Sequence, residues 1–253
     1  MFDYEPRADL LADRTILITG AGDGIGKAAA HQFARYGANV ILTGRTESKL
    51  ATTFDEIESH SPQRAIIHPL DLAKATEQDY KILSNAINEQ YSHLDGLLHN
   101  GALLGPRSPI QSYPYQDWLD LVQVNINGAF LLTRELLPLL AQSDSGRILF
   151  TSSSVGRKGR AYWGAYSVTK FAIEGLMQVL ADELENTSSI RVNSINPGGT
   201  RTKMRQQAYP AENPNTRPAP EALMPVYLYL MGEDSKNLHG KAIDAQSFDP
   251  EEC

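Results

Sequence analysis

The chain has 253 residues, with 23 lysines and arginines against 30 aspartates and glutamates, which gives a net charge of −7 at pH 7. This length fits one sizeable domain or two small ones. The acidic balance excludes a general nucleic-acid or anionic-membrane binder, because phosphate groups are bound by clustered lysines and arginines. No apolar run reaches the roughly 18 residues that a transmembrane helix needs, so we expect neither a membrane nor a nucleic-acid partner.

Cysteine and histidine usage argues against a metal centre. The single cysteine, Cys253, allows no disulfide framework and no cysteine metal site within one chain. The six histidines show no metal-ligand spacing, so no metal is predicted. The N-terminal residues are polar and lack the apolar core of a signal peptide. The sequence therefore favours a cytoplasmic protein in a reducing compartment.

Short apolar runs typical of β-strands alternate with helical patterns along the chain. This alternation predicts parallel β-α-β units and an α/β fold. We expect a single doubly wound Rossmann domain over residues 1–253, with a mostly parallel sheet of about seven strands and helices on both faces. The predicted strands are 15–19, 39–43, 65–69, 94–99, 147–152, 190–195 and 241–245, and the predicted helices are 27–36, 49–59, 77–91, 118–140, one after Gly164, and 221–231.

Prolines set further limits on the predicted elements. Pro138 should end or bend the helix at 118–140 near its last turn. Residues 203–220 are polar and contain prolines at 210, 214, 218 and 220. Such a segment predicts a mobile loop rather than a core element, and we expect this loop to cover the substrate.

A glycine-rich turn joins the first predicted strand to the first predicted helix. Its pattern is TGxxxGxG rather than GxGxxG, with Thr19-Gly20 at its start and Gly24-Ile25-Gly26 at its end. A strand, a glycine turn and a helix in this order let the backbone approach a pyrophosphate, whose charge lies at the helix N-terminus. The alternative is a tight strand–helix turn that binds no ligand.

Two residues that follow the next two strands bear on the choice of cofactor. Arg45 stands where a site that prefers NAD usually has an acid for the ribose 2′-hydroxyl. A guanidinium favours a 2′-phosphate, so the sequence predicts NADP; the alternative is an exposed arginine without a role. Asp71 either holds the adenine amino group or caps the helix that follows it.

Tyr166 and Lys170 lie four residues apart in a helical pattern and therefore point to the same face of the helix. An ammonium near a phenol favours the phenolate, so a tyrosine with an ordinary pKa of about 10 is expected to move toward a useful acid/base range. Three serines, at 152, 153 and 154, lie upstream of this pair. A tyrosine and a lysine at this spacing are common by chance, so the pair alone does not define a catalytic site.

Polar or glycine-rich segments follow each of the first six predicted strands. In doubly wound sheets, ligands bind at the carboxyl ends of the strands. The convergence of these segments at one edge is the strongest argument for a site that comes from the residues alone. The segments are the glycine turn, Arg45, Asp71, Asn100, the serines at 152–154 and residues 197–202.

With these residues in this order, the chain resembles the short-chain dehydrogenase/reductases over about residues 13–245. Each matching stretch is weak alone, whereas the order and spacing together are specific. Three stretches, HNGALLG, TSSSVGRKGRA and NPGGTRT, are similar to a bacterial subgroup, the YciK-type oxidoreductases. The matching stretches are TGAGDGIG at 19–26, DL at 71–72, HNGA at 99–102, VNING at 124–128, TSSSVG at 151–156, YSVTK at 166–170 and NPGGTRT at 196–202.

The resemblance implies an NADP(H)-dependent oxidoreductase that interconverts a carbonyl and an alcohol by hydride transfer. Tyr166 would be the general acid/base, and Lys170 would bind the nicotinamide ribose and lower the pKa of the tyrosine. Ser153 would hold the substrate oxygen, and Asn125 would hold a water in the proton relay. The implied cofactor contacts come from Gly20, Gly24, Ile25, Gly26, Arg45, Asp71, Leu72, Asn100, Tyr166, Lys170, Pro197, Gly198, Thr200 and Thr202.

Three positions depart from the family's usual pattern. The order Asn100-Gly101-Ala102 replaces Asn-Ala-Gly, so the methyl group at 102 is expected to crowd the cofactor. Asp23 precedes Gly24 where a basic residue would help a 2′-phosphate, so the NADP prediction depends on Arg45. The final strand ends Asp244-Ala245-Gln246 where Asp-Gly-Gly is frequent, which weakens inference about C-terminal contacts.

Two other functions stay open at this stage. A nucleotide-binding regulatory or interaction protein with the same fold would bind NADP and turn over no carbonyl. A structural protein without a ligand would show no thermal shift with any nucleotide. The resemblance also implies that the helix at 118–140 and the helix after Gly164 pack against a second subunit, so we expect a homodimer or a homotetramer. The substrate is expected to be a small carbonyl or alcohol whose identity the sequence does not give.

Overall fold

Seven parallel strands form one sheet in the computed structural model of this chain, which describes residues 2–252 and the side chains of residues 2–251. The strands are β1 Thr15–Thr19, β2 Asn39–Gly44, β3 Ala65–Pro69, β4 Gly96–His99, β5 Arg147–Thr151, β6 Arg191–Asn196 and β7 Ala242–Asp244. Their order is β3-β2-β1-β4-β5-β6-β7, and every neighbouring pair is parallel. The predicted α/β fold is confirmed. Cys253 lies outside the described residues.

Helices cover both faces of this sheet. The α-helices are α1 Gly24–Arg35, α2 Glu47–Glu58, α3 Glu77–Tyr91, α4 Tyr115–Val122, α5 Gly128–Leu140, α6 Gly164–Leu184, α7 Lys203–Ala208 and α8 Met224–Met231. In β1, Ile16 and Ile18 pack with α1 and α8 on one face, and Leu17 packs with α3, α5 and α6 on the other. Strands that are buried on both faces read as continuous apolar runs, which explains why the central strands could be located from the sequence.

The predicted helix at 118–140 is interrupted in the structure. It begins earlier, at Tyr115, and a single π-helical turn, Gln123–Asn127, separates α4 from α5. Pro138 lies inside the last turn of α5, which ends two residues later, as the sequence predicted. A π-turn changes which side chains face inward and is frequent at functional sites. Here it contains Asn125, one of the predicted site residues.

The prediction that residues 203–220 form only a mobile loop is wrong at its N-terminal end. Helix α7 occupies Lys203–Ala208, and Ala208 is buried. The side-chain oxygen of Thr202 accepts a hydrogen bond from the backbone N–H of Arg205, 3.1 Å away, and so caps this helix. The prolines begin only at position 210, so they do not oppose a helix over the preceding six residues.

Within residues 2–252, no helix is both long enough and apolar enough to cross a bilayer. The same residues hold no cluster of three or more histidine, cysteine or acidic side chains arranged to bind a metal ion.

Candidate active site

A cavity of about 460 Å³ lies at the carboxyl edge of the sheet, where the strand order reverses between β1 and β4. Ligands of doubly wound folds bind at this point. Every residue predicted to contact a cofactor lines the cavity, with the exception of Gly26. Among the four predicted catalytic residues, Ser153, Tyr166 and Lys170 line it and Asn125 does not.

The glycine turn after β1 has backbone conformations that favour glycine. Gly20 has φ +70° and Gly24 has φ +54°, values that residues with a Cβ rarely adopt. Gly26 does not reach the cavity but makes the turn possible, since a Cβ on it would lie 2.6 Å from Asn100 Nδ2. The turn therefore presents bare backbone at the N-terminus of α1, where an anion is stabilised.

The departure at 100–102 has a local explanation. The backbone N–H groups of Asn100 and Gly101 both donate to Thr19 Oγ1, each over 2.9 Å. These bonds bring Gly101 so close to the glycine turn that a Cβ on it would lie 3.2 Å from the Gly20 nitrogen. A Cβ at 101 would therefore make a tight contact with the glycine turn, which glycine avoids, and Ala102 lines the cavity.

From the sequence, Asp23 was expected to give no help to a 2′-phosphate, but in the structure two lysines offset its charge. Its carboxylate pairs with Lys49 Nζ at 2.8 Å and with Lys203 Nζ at 3.1 Å. Burial raises the pKa of Asp23, but the hydrogen bonds and charges of the two lysines together hold it below its ordinary value. Arg45 lines the same end and, among the described residues, forms no ion pair. The two lysines therefore offset the negative charge of Asp23, and Arg45 stays available.

Asp71 was predicted to bind adenine or to cap a helix. Its Oδ1 accepts from the backbone N–H of Ala73 at 3.1 Å and so stabilises the turn after β3. The next helix, α3, has its own cap, because the carboxylate of Asp79 accepts from the backbone N–H and the hydroxyl of Thr76. Asp71 also lines the cavity, so its role toward a ligand stays a prediction.

The serine, tyrosine and lysine predicted to be catalytic meet at the middle of the cavity. Ser153 lies close enough to the hydroxyl of Tyr166 to lower the pKa of the phenol. Lys170 Nζ lies 5.6 Å from the centroid of the tyrosine ring and donates to the main-chain oxygen of Thr151 at 2.6 Å. Helix α6 presents Tyr166 and Lys170 one turn apart, as the four-residue spacing predicted. All three side chains line one continuous space.

The pKa of the tyrosine does not follow the sequence expectation. Burial raises the pKa of Tyr166 to about 12, and the neighbouring Ser153 opposes this by less. Burial also lowers the pKa of Lys170 to about 8, against the charge of Glu174. The expected lowering of the phenol pKa by Lys170 is therefore absent in this structure, because desolvation of the phenolate dominates.

Asn125 supports the site from behind its wall. Its Oδ1 accepts from the backbone N–H of Leu103 at 2.8 Å, and its Nδ2 donates to Leu103 O and to Thr169 Oγ1, each at 3.0 Å. Thr169 Oγ1 in turn donates to the main-chain oxygen of Tyr166 at 3.0 Å. Asn125 thus connects the loop after β4 to helix α6, whereas its predicted role with a water stays a prediction.

The loop after β6 is held by a residue that the sequence did not single out for this role. Gln246 Nε2 donates to the main-chain oxygens of Pro197 at 3.0 Å and Gly199 at 3.2 Å. Pro197, Gly198 and Thr200 line the cavity. The departure at Asp244-Ala245-Gln246 therefore supplies a donor that orders the predicted cofactor loop.

Apolar side chains that the sequence analysis missed form the wall beside Tyr166. They belong to one cluster with Tyr166 itself, and Trp163 packs against the tyrosine at a ring-centroid distance of 5.8 Å. The position of Trp163, three residues before Tyr166, is the one signal that could have found it, since helical neighbours share a face. The cavity-lining members of this wall are Leu103, Leu104, Trp163, Met204 and Ala208.

Known proteins agree with this fold. The chain matches the short chain dehydrogenase family over residues 14–213. It is 51% identical over 243 residues to the uncharacterized oxidoreductase YciK of Escherichia coli (strain K12), with 96% of each chain covered. The chain therefore belongs to the short-chain dehydrogenase family.

Two solved structures are similar over nearly the whole chain. A short chain dehydrogenase from Pseudomonas syringae is 54% identical with a TM-score of 0.94, covering 97% of this chain and 100% of that one. A short chain dehydrogenase from Shigella flexneri 2a, solved as a complex with NADP, is 51% identical with a TM-score of 0.93, covering 95% and 100%.

Proposed function

We propose that this chain transfers a hydride between NADP(H) and a small carbonyl or secondary alcohol, with Tyr166 as the proton donor and acceptor. The observation that carries the proposal is the meeting of three groups in one cavity: the hydroxyl of Ser153, the hydroxyl of Tyr166 and the ammonium of Lys170. Membership of the short-chain dehydrogenase family supports the same reaction class.

The cavity fits a dinucleotide on chemical grounds. Its glycine turn presents bare backbone at the N-terminus of α1, where a pyrophosphate would be stabilised. Thr43 and Ser152 line the cavity, and their hydroxyl oxygens are buried without a hydrogen-bond partner among the described residues. Buried hydroxyls without partners are costly, so these two groups support a polar ligand. The NADP complex of the Shigella relative supports the same choice.

Arg45 and Lys49 are the residues proposed to select NADP over NAD. Both are exposed at the β2 end of the cavity. Arg45 offers a planar guanidinium that matches a phosphate, and Lys49 adds a second positive charge whose partner, Asp23, is shared with Lys203.

The bound cofactor would supply or accept the hydride, and the chain's own residues would place the carbonyl and handle the proton. Ser153 would donate a hydrogen bond to the substrate oxygen, and Tyr166 would donate its proton to that oxygen as negative charge develops. Burial raises the pKa of Tyr166 to about 12, so the phenol is protonated at neutral pH and can donate its proton to the oxygen of a carbonyl. The charge of Lys170 would stabilise the phenolate that the proton transfer leaves.

The test is an NADPH-oxidation assay with a panel of ketones, aldehydes and 3-oxo esters, combined with thermal shifts for NADP and NAD. Stabilisation by NADP together with turnover of one class of carbonyl would support the proposal. Stabilisation without any turnover would favour the second candidate, a nucleotide-binding regulatory protein. The altered order at 100–102 motivates that candidate, although Gly101 fits its place in the turn.

We also propose a homodimer or homotetramer. Helices α5 and α6 each expose large apolar side chains, with Phe130 on α5 47% exposed and Phe171 on α6 45% exposed. Val168 and Val179 extend the exposed apolar surface of α6. Such surface on a small soluble protein marks an interaction site. A monomer mass by light scattering at micromolar protein would contradict this assembly. The cytoplasm stays the compartment predicted from cysteine usage.

A further inference from the structure

The apolar wall beside Tyr166 defines one end of the cavity, here called the substrate end: Leu103, Leu104, Trp163, Met204 and Ala208. An inference about its ligand depends on the proposed carbonyl–alcohol chemistry. Trp163 and Ala208 are buried, and the wall packs as one cluster with Tyr166. The substrate oxygen would be bound by Ser153 and Tyr166, so the remainder of the substrate would contact carbon atoms.

The charged residues of the cavity are unevenly distributed. Asp23, Lys49 and Lys203 form one ion-paired group, with Arg45 near them at the β2 end. Lys170 donates a hydrogen bond to the main-chain oxygen of Thr151. Among the described cavity-lining residues, this leaves Arg205 of α7 as the remaining cation at the substrate end.

The edge of Arg205 that could bind a carboxylate, formed by Nε and Nη2, is already occupied. Its Nε donates to Glu212 Oε2 at 2.6 Å and its Nη2 donates to Glu212 Oε1 at 2.7 Å, which is a bidentate pair. The guanidinium also lies 3.8 Å from the centroid of the Tyr209 ring. A substrate carboxylate would therefore have to displace Glu212 to bind Arg205 in the same way.

Glu212 is itself fixed as a carboxylate. Arg217 donates its Nε and Nη2 to Glu212 Oε1 at 2.9 and 2.6 Å. The hydrogen bonds of Arg205 and Arg217 lower the pKa of Glu212 to about 2. Arg217 does not line the cavity and packs against Gly199 with its side chain. The pair between Glu212 and Arg205 thus persists over the pH range in which the protein would work.

From this geometry we infer that the substrate is an uncharged carbonyl or alcohol with an apolar body. We further infer that Glu212, which does not itself line the cavity, is a positioning residue that sets this specificity through Arg205, because its carboxylate offsets the charge of Arg205 and occupies its Nε–Nη2 edge. Arg107 does not alter this conclusion. It is stacked between Trp163 and Tyr209 at 4.6 and 5.0 Å and donates to Ala208 O, behind the cavity wall.

Three ketones with one flat skeleton test the inference: methyl 4-acetylbenzoate, 4-acetylbenzamide and 4-acetylbenzoate. The amide and the carboxylate have nearly the same shape and differ in charge. With NADPH, we expect kcat/KM for the carboxylate to be at least ~10-fold below that for the amide, the size of one charge-assisted hydrogen bond. A carboxylate that matches or exceeds the amide would overturn the inference.

The variant Glu212→Gln removes the negative charge that offsets Arg205, so the carboxylate-to-amide ratio of kcat/KM should rise by ~10-fold. Glu221→Gln, nine residues further along the chain and exposed, is the matched control and should leave the ratio unchanged. If the ratio is unchanged in Glu212→Gln and the thermal shift by NADP is retained, Glu212 does not determine the specificity. If Glu212→Gln does not fold, the wild-type order of the three ketones still decides the substrate class.

Failure of the proposed function has a different signature. If none of the three ketones is reduced, the reaction class loses support. The inference is then judged by calorimetric binding of the same three compounds to the protein–NADP complex. Tighter binding of the amide than of the carboxylate would support an uncharged ligand, and the reverse order would overturn it.

Discussion

The ammonium of Lys170 donates a hydrogen bond to the main-chain oxygen of Thr151 across 2.6 Å. Because Thr151 is the last residue of β5, this bond ties helix α6 to the edge of the sheet. Gly156 allows this close packing, because a Cβ on it would lie 2.7 Å from the Cβ of Lys170. The position of the charge beside Tyr166 is therefore set by backbone groups of the TSSSVG segment.

This placement predicts a loss of carbonyl reduction at alkaline pH. Burial lowers the pKa of Lys170 to about 8, while burial keeps the pKa of Tyr166 at about 12. As pH rises through about 8, the lysine loses the charge that stabilises the phenolate, although the phenol is still protonated. Turnover with NADPH should therefore fall above pH 8. Lys170→Met should lower kcat by ~10²-fold and remove the inflection. A flat wild-type profile from pH 7 to 10 would argue against this role.

Arg45 should determine the choice between the two dinucleotides. Arg45→Ala is expected to weaken binding of NADP by ~10-fold or more, the size of one lost charge-assisted contact, and to leave NAD binding unchanged. Isothermal titration at constant ionic strength measures both. Arg35→Ala, an exposed arginine in the last turn of α1, is the control. Equal affinity of the wild-type protein for NAD and NADP would refute the assignment of Arg45.

Gln246 should be required for the order of the cofactor loop. Gln246→Leu keeps the size of the side chain but removes the donor to Pro197 O and Gly199 O. Each lost hydrogen bond costs about 1 kcal/mol, so we expect a lower melting temperature and a severalfold higher Kd for NADP. The two are measured by calorimetry on the same preparation. Unchanged cofactor affinity together with lower stability would show that Gln246 has a structural role only.

His99 should make the fold sensitive to acid. It is buried at the end of β4, stacks on Phe150 with 4.6 Å between ring centroids, and contacts Thr133 Oγ1 at 2.8 Å. Burial lowers its pKa from 6.5 to about 3, with a smaller contribution from the charge of Lys170. Between these values the unfolded chain binds the proton and the folded chain does not, so the free energy of unfolding falls as pH falls.

The contribution of His99 can be isolated with His99→Gln. This variant keeps a donor toward Thr133 and removes the titrating group. Chemical denaturation between pH 6.5 and 4 should give a pH slope that is smaller by up to ~1.4 kcal/mol per pH unit. An identical slope in the variant and the wild-type protein would show that His99 does not stay neutral in the folded state.

The sheet could be predicted from the sequence because its signals are local. Buried parallel strands are apolar throughout, so strands such as Thr15–Thr19 and Arg147–Thr151 stand out from the polar segments after them. The edge that carries the cavity followed from strand direction alone. The spacing of Tyr166 and Lys170 was sufficient to place both side chains on one face of α6.

What the sequence missed depends on tertiary packing. The π-turn at Gln123–Asn127 leaves the apolar pattern of the helix intact, so no local signal separates α4 from α5. The proline content after residue 209 obscured α7, which Thr202 caps. The direction of the Tyr166 pKa was wrong because spacing indicates a neighbouring charge but not burial. Gln246 reaches its partners from 47 and 49 residues away in the chain.

The proton-transfer role of Tyr166 is tested most directly by Tyr166→Phe, which removes one hydroxyl and keeps the ring. Single-turnover oxidation of NADPH, with a carbonyl that the wild-type protein reduces, measures the chemical step, and fluorescence titration measures NADPH affinity. We predict that the variant binds NADPH with wild-type affinity and that its chemical step is slower by ~10²–10⁴-fold. A variant that oxidises NADPH at the wild-type rate would contradict the account.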